Sequence, residues 1–346
     1  MELNAAFASD NVAGVHPKIL QAMNCANAGY VPSYGDDSYT ERASKLLRGH
    51  FGDAAEIFPV LTGTAANVLC LKSVCQSFQA VICAQSSHLQ HHECGAPEAF
   101  LGSKLLLIPD IQGKISSSLI EETLEGRTIV HYVQPRVVSI SQCTEWGTVY
   151  TVDEIGRLAD YCHQNDLLLH VDGARLTNAA ASLKCTFKEM ILDTGVDLLS
   201  FGGTKCGCMG AEAAIILRPE LAQSTPYFHK QVMQLSSKMR YISVQLSSLL
   251  ENDLWRDLAE QANLRAAQLY QGLLEIPEIR FSCPVETNAL FTHLPQSWVA
   301  PLQKQFSFVI WNSQTPIIRW MTSFATMEAE VEDLISACSK LSQSTR

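Results

Sequence analysis

A series of short, uninterrupted apolar runs, separated by stretches of helical periodicity, restricts this chain more than any other feature. The runs cover 56–61, 80–83, 104–108, 128–133, 167–171, 198–200 and 213–217. Several are continuous in Val, Ile and Leu instead of alternating with polar residues, which suits strands covered on both faces. Helical periodicity is clearest over 65–77, 152–164, 231–250 and 254–274. Strand and helix in alternation predict an α/β fold built on a mostly parallel seven-stranded sheet with helices on both faces. After Leu274 the texture changes, because Pro277, Pro284, Pro295 and Pro301 divide the chain into shorter elements before a closing helix over 328–341. The expected organisation is an N-terminal arm over 1–15, a large domain over 16–250 and a smaller α+β domain over 251–346, joined through a long helix near 250–275.

Composition narrows the partners. At 346 residues, 47% hydrophobic and 17% charged, the chain can bury one large core or two unequal ones. A net charge of −10 without any basic run argues against nucleic acid, whose phosphates need clustered Lys and Arg. No segment reaches the roughly 18–20 apolar residues of a membrane span. Residues 1–10 lack the basic start and apolar core of an export signal. Twelve cysteines in such a chain read as reduced thiols, many of them small core residues, so a cytoplasmic location and a small-molecule partner are expected. Cys206-Gly207-Cys208 has no second pair at zinc-ligand spacing, and no metal is expected.

Five segments carry chemistry. Asp172 follows the run Leu167-Leu168-Leu169-His170-Val171 and precedes Gly173, which puts a carboxylate at the carboxyl edge of a buried strand, where open α/β sheets bind ligands. It suits a helix N-cap equally well. Lys205 ends Ser200-Phe201-Gly202-Gly203-Thr204-Lys205, a tight loop whose glycines permit close backbone approach; the ordinary reading is a solvated lysine. Thr62-Gly63-Thr64-Ala65-Ala66-Asn67 joins an apolar run to a helix, whose first-turn N–H groups form a natural phosphate cup. In His88-Leu89-Gln90-His91-His92-Glu93, the spacing puts His88 and His92 on one helix face; they suit either a metal, with Glu93 nearby, or a ring stacked on a planar ligand. Arg319 lies in the extended apolar segment Pro316-Ile317-Ile318-Arg319-Trp320-Met321-Thr322, where a charge requires a partner: a protein carboxylate or a ligand's.

Taken in order, these segments together with Ala8-Ser9-Asp10-Asn11, Tyr34-Gly35-Asp36-Asp37 and Arg319-Trp320-Met321-Thr322-Ser323 resemble the threonine aldolase and β-eliminating lyase family of fold-type I pyridoxal-phosphate enzymes. The resemblance implies pyridoxal 5′-phosphate as cofactor, held as a Schiff base on Lys205, with His88 stacked on its ring and Asp172 paired with its ring nitrogen. It further implies Arg175 on the ring's 3-oxygen side, Gly63 and Thr64 on the phosphate, and Arg240 reaching the phosphate from a neighbouring subunit of a homodimer or homotetramer with shared active sites. Ser9 and Arg319 would bind the substrate carboxylate, with Tyr34 also on the substrate side. Two segments depart from the family's commoner form. Ser141-Gln142-Cys143-Thr144-Glu145-Trp146-Gly147 stands where a Thr-His-Asn turn is usual, leaving Glu145 to take part of that histidine's role. The lysine segment SFGGTK, in place of a Ser-Lys-Gly form, is similar to a branch that includes phenylserine aldolases.

The activity implied is retro-aldol cleavage of an L-3-hydroxy-α-amino acid, such as L-threonine, L-allo-threonine or L-phenylserine, to glycine and an aldehyde. His88, Glu93 or a water between them would take the hydroxyl proton. The alternative on the same cofactor is β-elimination or racemisation of a small amino acid, since a fold does not determine which bond breaks.

Overall fold

A computed structural model describes residues 6–312 and 317–345. The large sheet contains β1 (Glu56–Val60), β2 (Gln79–Ala84), β3 (Lys104–Ile108), β4 (Gln134–Ser141), β5 (Leu168–Gly173), β6 (Leu198–Gly202) and β7 (Glu212–Ile216). Its seven strands lie in the order β1-β7-β6-β5-β4-β2-β3. Neighbours from β3 through β6 pair in parallel, while β7 runs antiparallel to both β1 and β6. Every residue of β5, β6 and β7 is buried, as unalternating apolar runs require.

Two sequence expectations fail here. Residues 128–133 are not a strand: Thr128 has φ +67°, Val130 is 90% exposed, and the chain turns before β4 begins at Gln134. The apolar spelling of that stretch is misleading, while Pro135 is tolerated because it lies at the start of β4, beside a register shift against β2. Nor is 231–250 one helix. It divides into Thr225–Gln231 and Arg240–Leu250, and Met233 between them has φ +63°, a left-handed conformation that no helix interior accommodates. The helix expected over 65–77 runs Gly63–Val74, and Val152–Gln164 starts on a capping box in which Thr151 and Glu154 satisfy each other's backbone N–H groups.

A second sheet, antiparallel, contains β8 (Arg280–Phe281), β9 (Ala289–His293), β10 (Val309–Asn312) and β11 (Ile317–Met321) in the order β10-β11-β9-β8. The helix Leu254–Leu274 belongs to both halves. Leu254, Trp255 and Leu258 pack into the large core, whereas Ala266, Leu269 and Leu273 pack into the core under the small sheet. Phe7 joins that second core, and its backbone accepts from Met321 N and donates to Ser307 O, each at 2.8 Å. The N-terminal arm is thereby laid along β11. Among the described residues no helix is long and apolar enough to cross a membrane.

The parallel strands β2, β4, β5 and β6 end on the same side of the sheet, as does β1, which like β6 pairs antiparallel with β7 and so runs in the direction of β6. Just beyond those ends come Thr62-Gly63-Thr64, His88, Glu145, Asp172 and Lys205. One edge therefore gathers groups scattered over nearly 150 positions of sequence.

Candidate active site

A cavity of about 700 Å³ lies between this edge and the small sheet. Its large-domain wall includes His88, His92, Glu145, Arg175 and Lys205; Ser9 comes from the arm, and Trp311 and Arg319 from β10 and β11. Of the residues singled out in the sequence, Lys205, His88, Arg175, Glu145, Ser9 and Arg319 all line this one space.

Asp172 closes the floor. Cross-strand pairing sets it opposite Ser141 on β4 and Ser200 on β6. Its Oδ1 accepts from Ala174 N and its Oδ2 from the Asn67 side-chain amide, each at 3.0 Å. Burial alone would raise its carboxyl; the charges of His88 and Lys205 and the Asn67 hydrogen bond bring it below the ordinary carboxylate range, so Asp172 is an anion at neutral pH. The reverse applies to His88, whose burial lowers it although Asp172 and Glu145 pull it up.

Lys205 stands on a short turn, Thr204–Cys206, immediately after β6. The two preceding glycines are there for closeness. A β-carbon on Gly202 would fall 2.6 Å from Ala174 O, and one on Gly203 would fall 2.5 Å from Ala211 O. Any side chain at either position would push the lysine loop off the strand ends.

Arg175 is clamped by Asp10, with Nε to Oδ2 at 2.6 Å and Nη2 to Oδ1 at 3.1 Å. Asn288 also donates to Asp10 Oδ2 at 3.2 Å. Burial would raise Asp10's carboxyl, but this two-pronged pair holds it down as a carboxylate. Arg319 is held differently. Its Nη2 donates to Ala8 O at 2.8 Å and its guanidinium lies 5.3 Å from the centre of the Trp311 ring, while its buried Nε has no partner among the described residues. No protein ion pair engages Arg319 among those residues, which leaves the carboxylate of a ligand as the natural partner.

His88 and His92 stack with ring centres 5.3 Å apart, and a ring nitrogen of each lies within 4.8 Å of a Glu145 carboxylate oxygen and of the other. Trp311 is 6.4 Å from His92 and 6.0 Å from Trp146, so the outer wall is aromatic.

Other expected residues fall outside this cavity. Glu93 does not line it; the residue is 4% exposed and lies behind Asp172, its Oε1 accepting from Asn67 Nδ2 at 2.9 Å. Burial, then the Asp172 charge, push its carboxyl up to about 8, so it is mostly neutral at pH 7. A neutral buried acid outside the cavity lining is a poor base for a substrate hydroxyl. Gly63 and Thr64 open the helix that also carries Asn67, under an N-cap in which Thr62 Oγ1 accepts from Ala65 N at 3.2 Å. A β-carbon on Gly63 would meet nothing within 4 Å, so there is open space beside the start of this helix. Tyr34 and Arg240 lie elsewhere on the chain: Lys230 sits 4.6 Å over the exposed Tyr34 ring, and Arg240 Nη1 donates to Gly29 O at 3.3 Å.

Sequence reasoning passed over the individual parts played by Asp10, Asn67, His92 and Trp311. Asp10 and Asn67 are ordinary cap-type residues by sequence, and only tertiary contacts reveal an arginine clamp and a bridge. His92 was legible as the helix-face neighbour of His88.

A largely parallel sheet that presents a lysine beside a buried, ionised aspartate at its carboxyl edge, with a cavity roofed by a smaller sheet, is the fold-type I arrangement of pyridoxal-phosphate enzymes. The β-eliminating lyase family matches residues 6–297, and this chain belongs to that family. It is 41% identical to a low specificity L-threonine aldolase of Pseudomonas sp. (strain NCIMB 10558) over 95% of both chains, and 41% identical to that of Pseudomonas aeruginosa over 86% of both. Among solved structures it is similar to the threonine aldolase of Leishmania major, with a TM-score of 0.92 and 32% identity over 98% of this chain and 99% of that one.

Proposed function

We propose that this protein is a pyridoxal-phosphate-dependent lyase that cleaves L-3-hydroxy-α-amino acids, such as L-threonine, L-allo-threonine and L-phenylserine, to glycine and an aldehyde. The observation that carries this reading is the convergence of Lys205, His88 and Arg319 on one space, beside the anionic Asp172 that interacts with His88 and Lys205, with no protein carboxylate paired to Arg319 among the described residues. The cofactor, when bound, supplies an electron-accepting ring that makes the bonds at the substrate α-carbon labile.

The protein's residues do the rest. The Lys205 amine is the attachment point and the group the substrate amine replaces. Asp172, held anionic, keeps the opposing ring nitrogen protonated, and the neutral His88 imidazole supplies a flat face to stack on. The open first turn at Gly63 and Thr64 receives the phosphate. Arg175, fixed by Asp10, points at the ring's oxygen side. Arg319 and Ser9 would clasp the substrate carboxylate, and this grip would fix how the bonds at the α-carbon are oriented. His92, with Glu145 beside it, takes the proton of the β-hydroxyl as the Cα–Cβ bond opens; both face the cavity, as Glu93 does not. The aromatic wall of Trp146 and Trp311 receives the substituent that leaves in the aldehyde.

On this reading residues 1–15 are the arm, 16–250 the cofactor domain and 251–346 the small domain. Arg240 and Tyr34 complete the cavity of a neighbouring copy in a homodimer or homotetramer. A cytoplasmic setting is supported by the twelve cysteines, all of them free thiols. The test is product analysis after loading with pyridoxal phosphate: L-threonine should yield acetaldehyde and glycine in equal amounts. Pyruvate from L-serine or L-cysteine, or racemised alanine, with no aldehyde from L-threonine, would overturn the aldolase reading and leave elimination or racemisation.

A further inference from the structure

Behind the cavity floor lies a carboxyl that the proposed chemistry does not use. Glu93 has no ion pair among the described residues, and its second oxygen, Oε2, is buried with no well-formed hydrogen bond among them, although the Thr64 side chain also acts on this carboxyl. The single nitrogen Asn67 Nδ2 donates to Glu93 Oε1 at 2.9 Å and to Asp172 Oδ2 at 3.0 Å. An amide nitrogen has two hydrogens, so one atom satisfies both carboxyls; the flipped amide would turn its carbonyl oxygen on both, which fixes the orientation.

Two carboxylates on one nitrogen in a buried setting repel, so one of them keeps a proton. The groups facing Glu93 decide which. Asn67 and Thr64 come from the helix Gly63–Val74, Asp172 from β5 and Lys205 from the loop after β6. Asp172 has His88 and Lys205 beside it and a backbone N–H on its outer oxygen, whereas Glu93 has its burial and then the Asp172 charge against it. The proton rests on Glu93 and the charge on Asp172.

We propose that Glu93 is a positioning residue that acts through Asn67: it orients the Asp172 carboxylate and sets how firmly Asp172 holds the proton of the cofactor's ring nitrogen. The inference rests on the reading of Asp172 as the partner of that nitrogen. Ionising Glu93 draws the shared Asn67 amide toward itself, weakens the hydrogen bond to Asp172 and adds a second negative charge behind it. Both changes make Asp172 more basic and are felt at the ring nitrogen without any contact between Glu93 and the cofactor.

The test uses the full chain loaded with pyridoxal phosphate labelled with nitrogen-15 in the ring, whose chemical shift is followed from pH 6 to 10 together with the cofactor dissociation constant. In the wild type the ring nitrogen should report an inflection near pH 8, where Glu93 ionises. Glu93→Gln, which has the shape of the neutral acid and cannot ionise, should bind cofactor within about threefold of the wild type, by the small cost of a near-isosteric neutral swap, and show no inflection. Asn67→Ser, which lacks the bridging nitrogen, should keep the cofactor and shrink the inflection's amplitude by more than half. An inflection that persists unchanged in Glu93→Gln, or a wild-type signal that is flat across the range, would overturn the proposal and leave the cofactor reading intact. A spectrum with no bound ring signal at all would instead sink the cofactor reading, and this inference with it.

Discussion

The floor and the rim of the cavity are built on opposite principles. On the floor the anions are fixed: each oxygen of Asp172 and of Asp10 accepts a hydrogen bond from a named donor, and both carboxylates are buried, Asp172 on β5 and Asp10 in the arm. On the rim the cation Arg319 is tethered at one nitrogen and stacked on Trp311, and its Nε has no partner among the described residues. His88, His92 and Glu145 crowd together there without closing a hydrogen-bonded network among themselves. A site that binds one partner for many turnovers and another for a single turnover calls for this division, because preorganised dipoles hold the resident group while an unsatisfied charge gives affinity to the passing one. Asp172 and Lys205 come from the large sheet and its loops, and Arg319 and Trp311 from the small sheet, so the resident and the passing partner are gripped from different sheets.

The comparison breaks most visibly at Lys205. Lys205→Ala should lose covalent cofactor attachment and lower kcat by at least about 10²-fold, the lower end of what a positioned acid–base group contributes; a variant with wild-type kcat would remove the floor from the account. Arg319→Ala should raise KM for the amino acid by about 10–100-fold, the range of about 1.5–3 kcal/mol for a hydrogen bond to a charged group, and leave the cofactor dissociation constant unchanged. If Arg319→Ala weakens the cofactor instead, the rim has been misassigned. His92→Phe keeps the ring stack and removes the nitrogen, so it should lower kcat with threonine by about 10²-fold while sparing cofactor binding. Arg240→Ala should weaken cofactor retention by about tenfold if a neighbouring copy supplies it, and mixing it with an inactive Lys205→Ala chain should restore part of the activity through hybrid assemblies.

The smallest effect concerns stability without cofactor. Glu93 is raised in the folded state from 4.5 to about 8, so the folded chain binds more protons than the unfolded one between these values. Its contribution is fully present below pH 4.5 and declines as pH rises toward 8. Denaturant midpoints of Glu93→Gln should therefore fall less steeply than those of the wild type between pH 5 and 8. Parallel curves for the two proteins would contradict the neutral, buried state of Glu93.

Much of the floor was legible from sequence because its geometry follows from strand ends. A buried run that terminates in Asp172-Gly173, and a Gly202-Gly203 turn that delivers Lys205, locate two groups on one edge once the strands are known to be parallel. What was lost depended on contacts between distant segments. The Asn67 bridge joins residues 26 and 105 positions away, and the Asp10 clamp joins residues 165 positions apart. The false strand at 128–133 and the overlong helix at 231–250 have a common cause, since apolar residues continue across a left-handed residue, Thr128 or Met233, that neither element accommodates. Neither threonine nor methionine announces that conformation as glycine or asparagine would.

The account's central claim is that the floor holds pyridoxal phosphate on Lys205 beside an anionic Asp172. The direct measurement is the absorption spectrum of the purified, cofactor-loaded protein before and after borohydride, followed by peptide mapping of the reduced adduct. The account predicts a long-wavelength band that disappears on reduction, with the label on Lys205 and on no other lysine. A protein that shows no such band with excess cofactor, or whose label lies on another lysine, would contradict it.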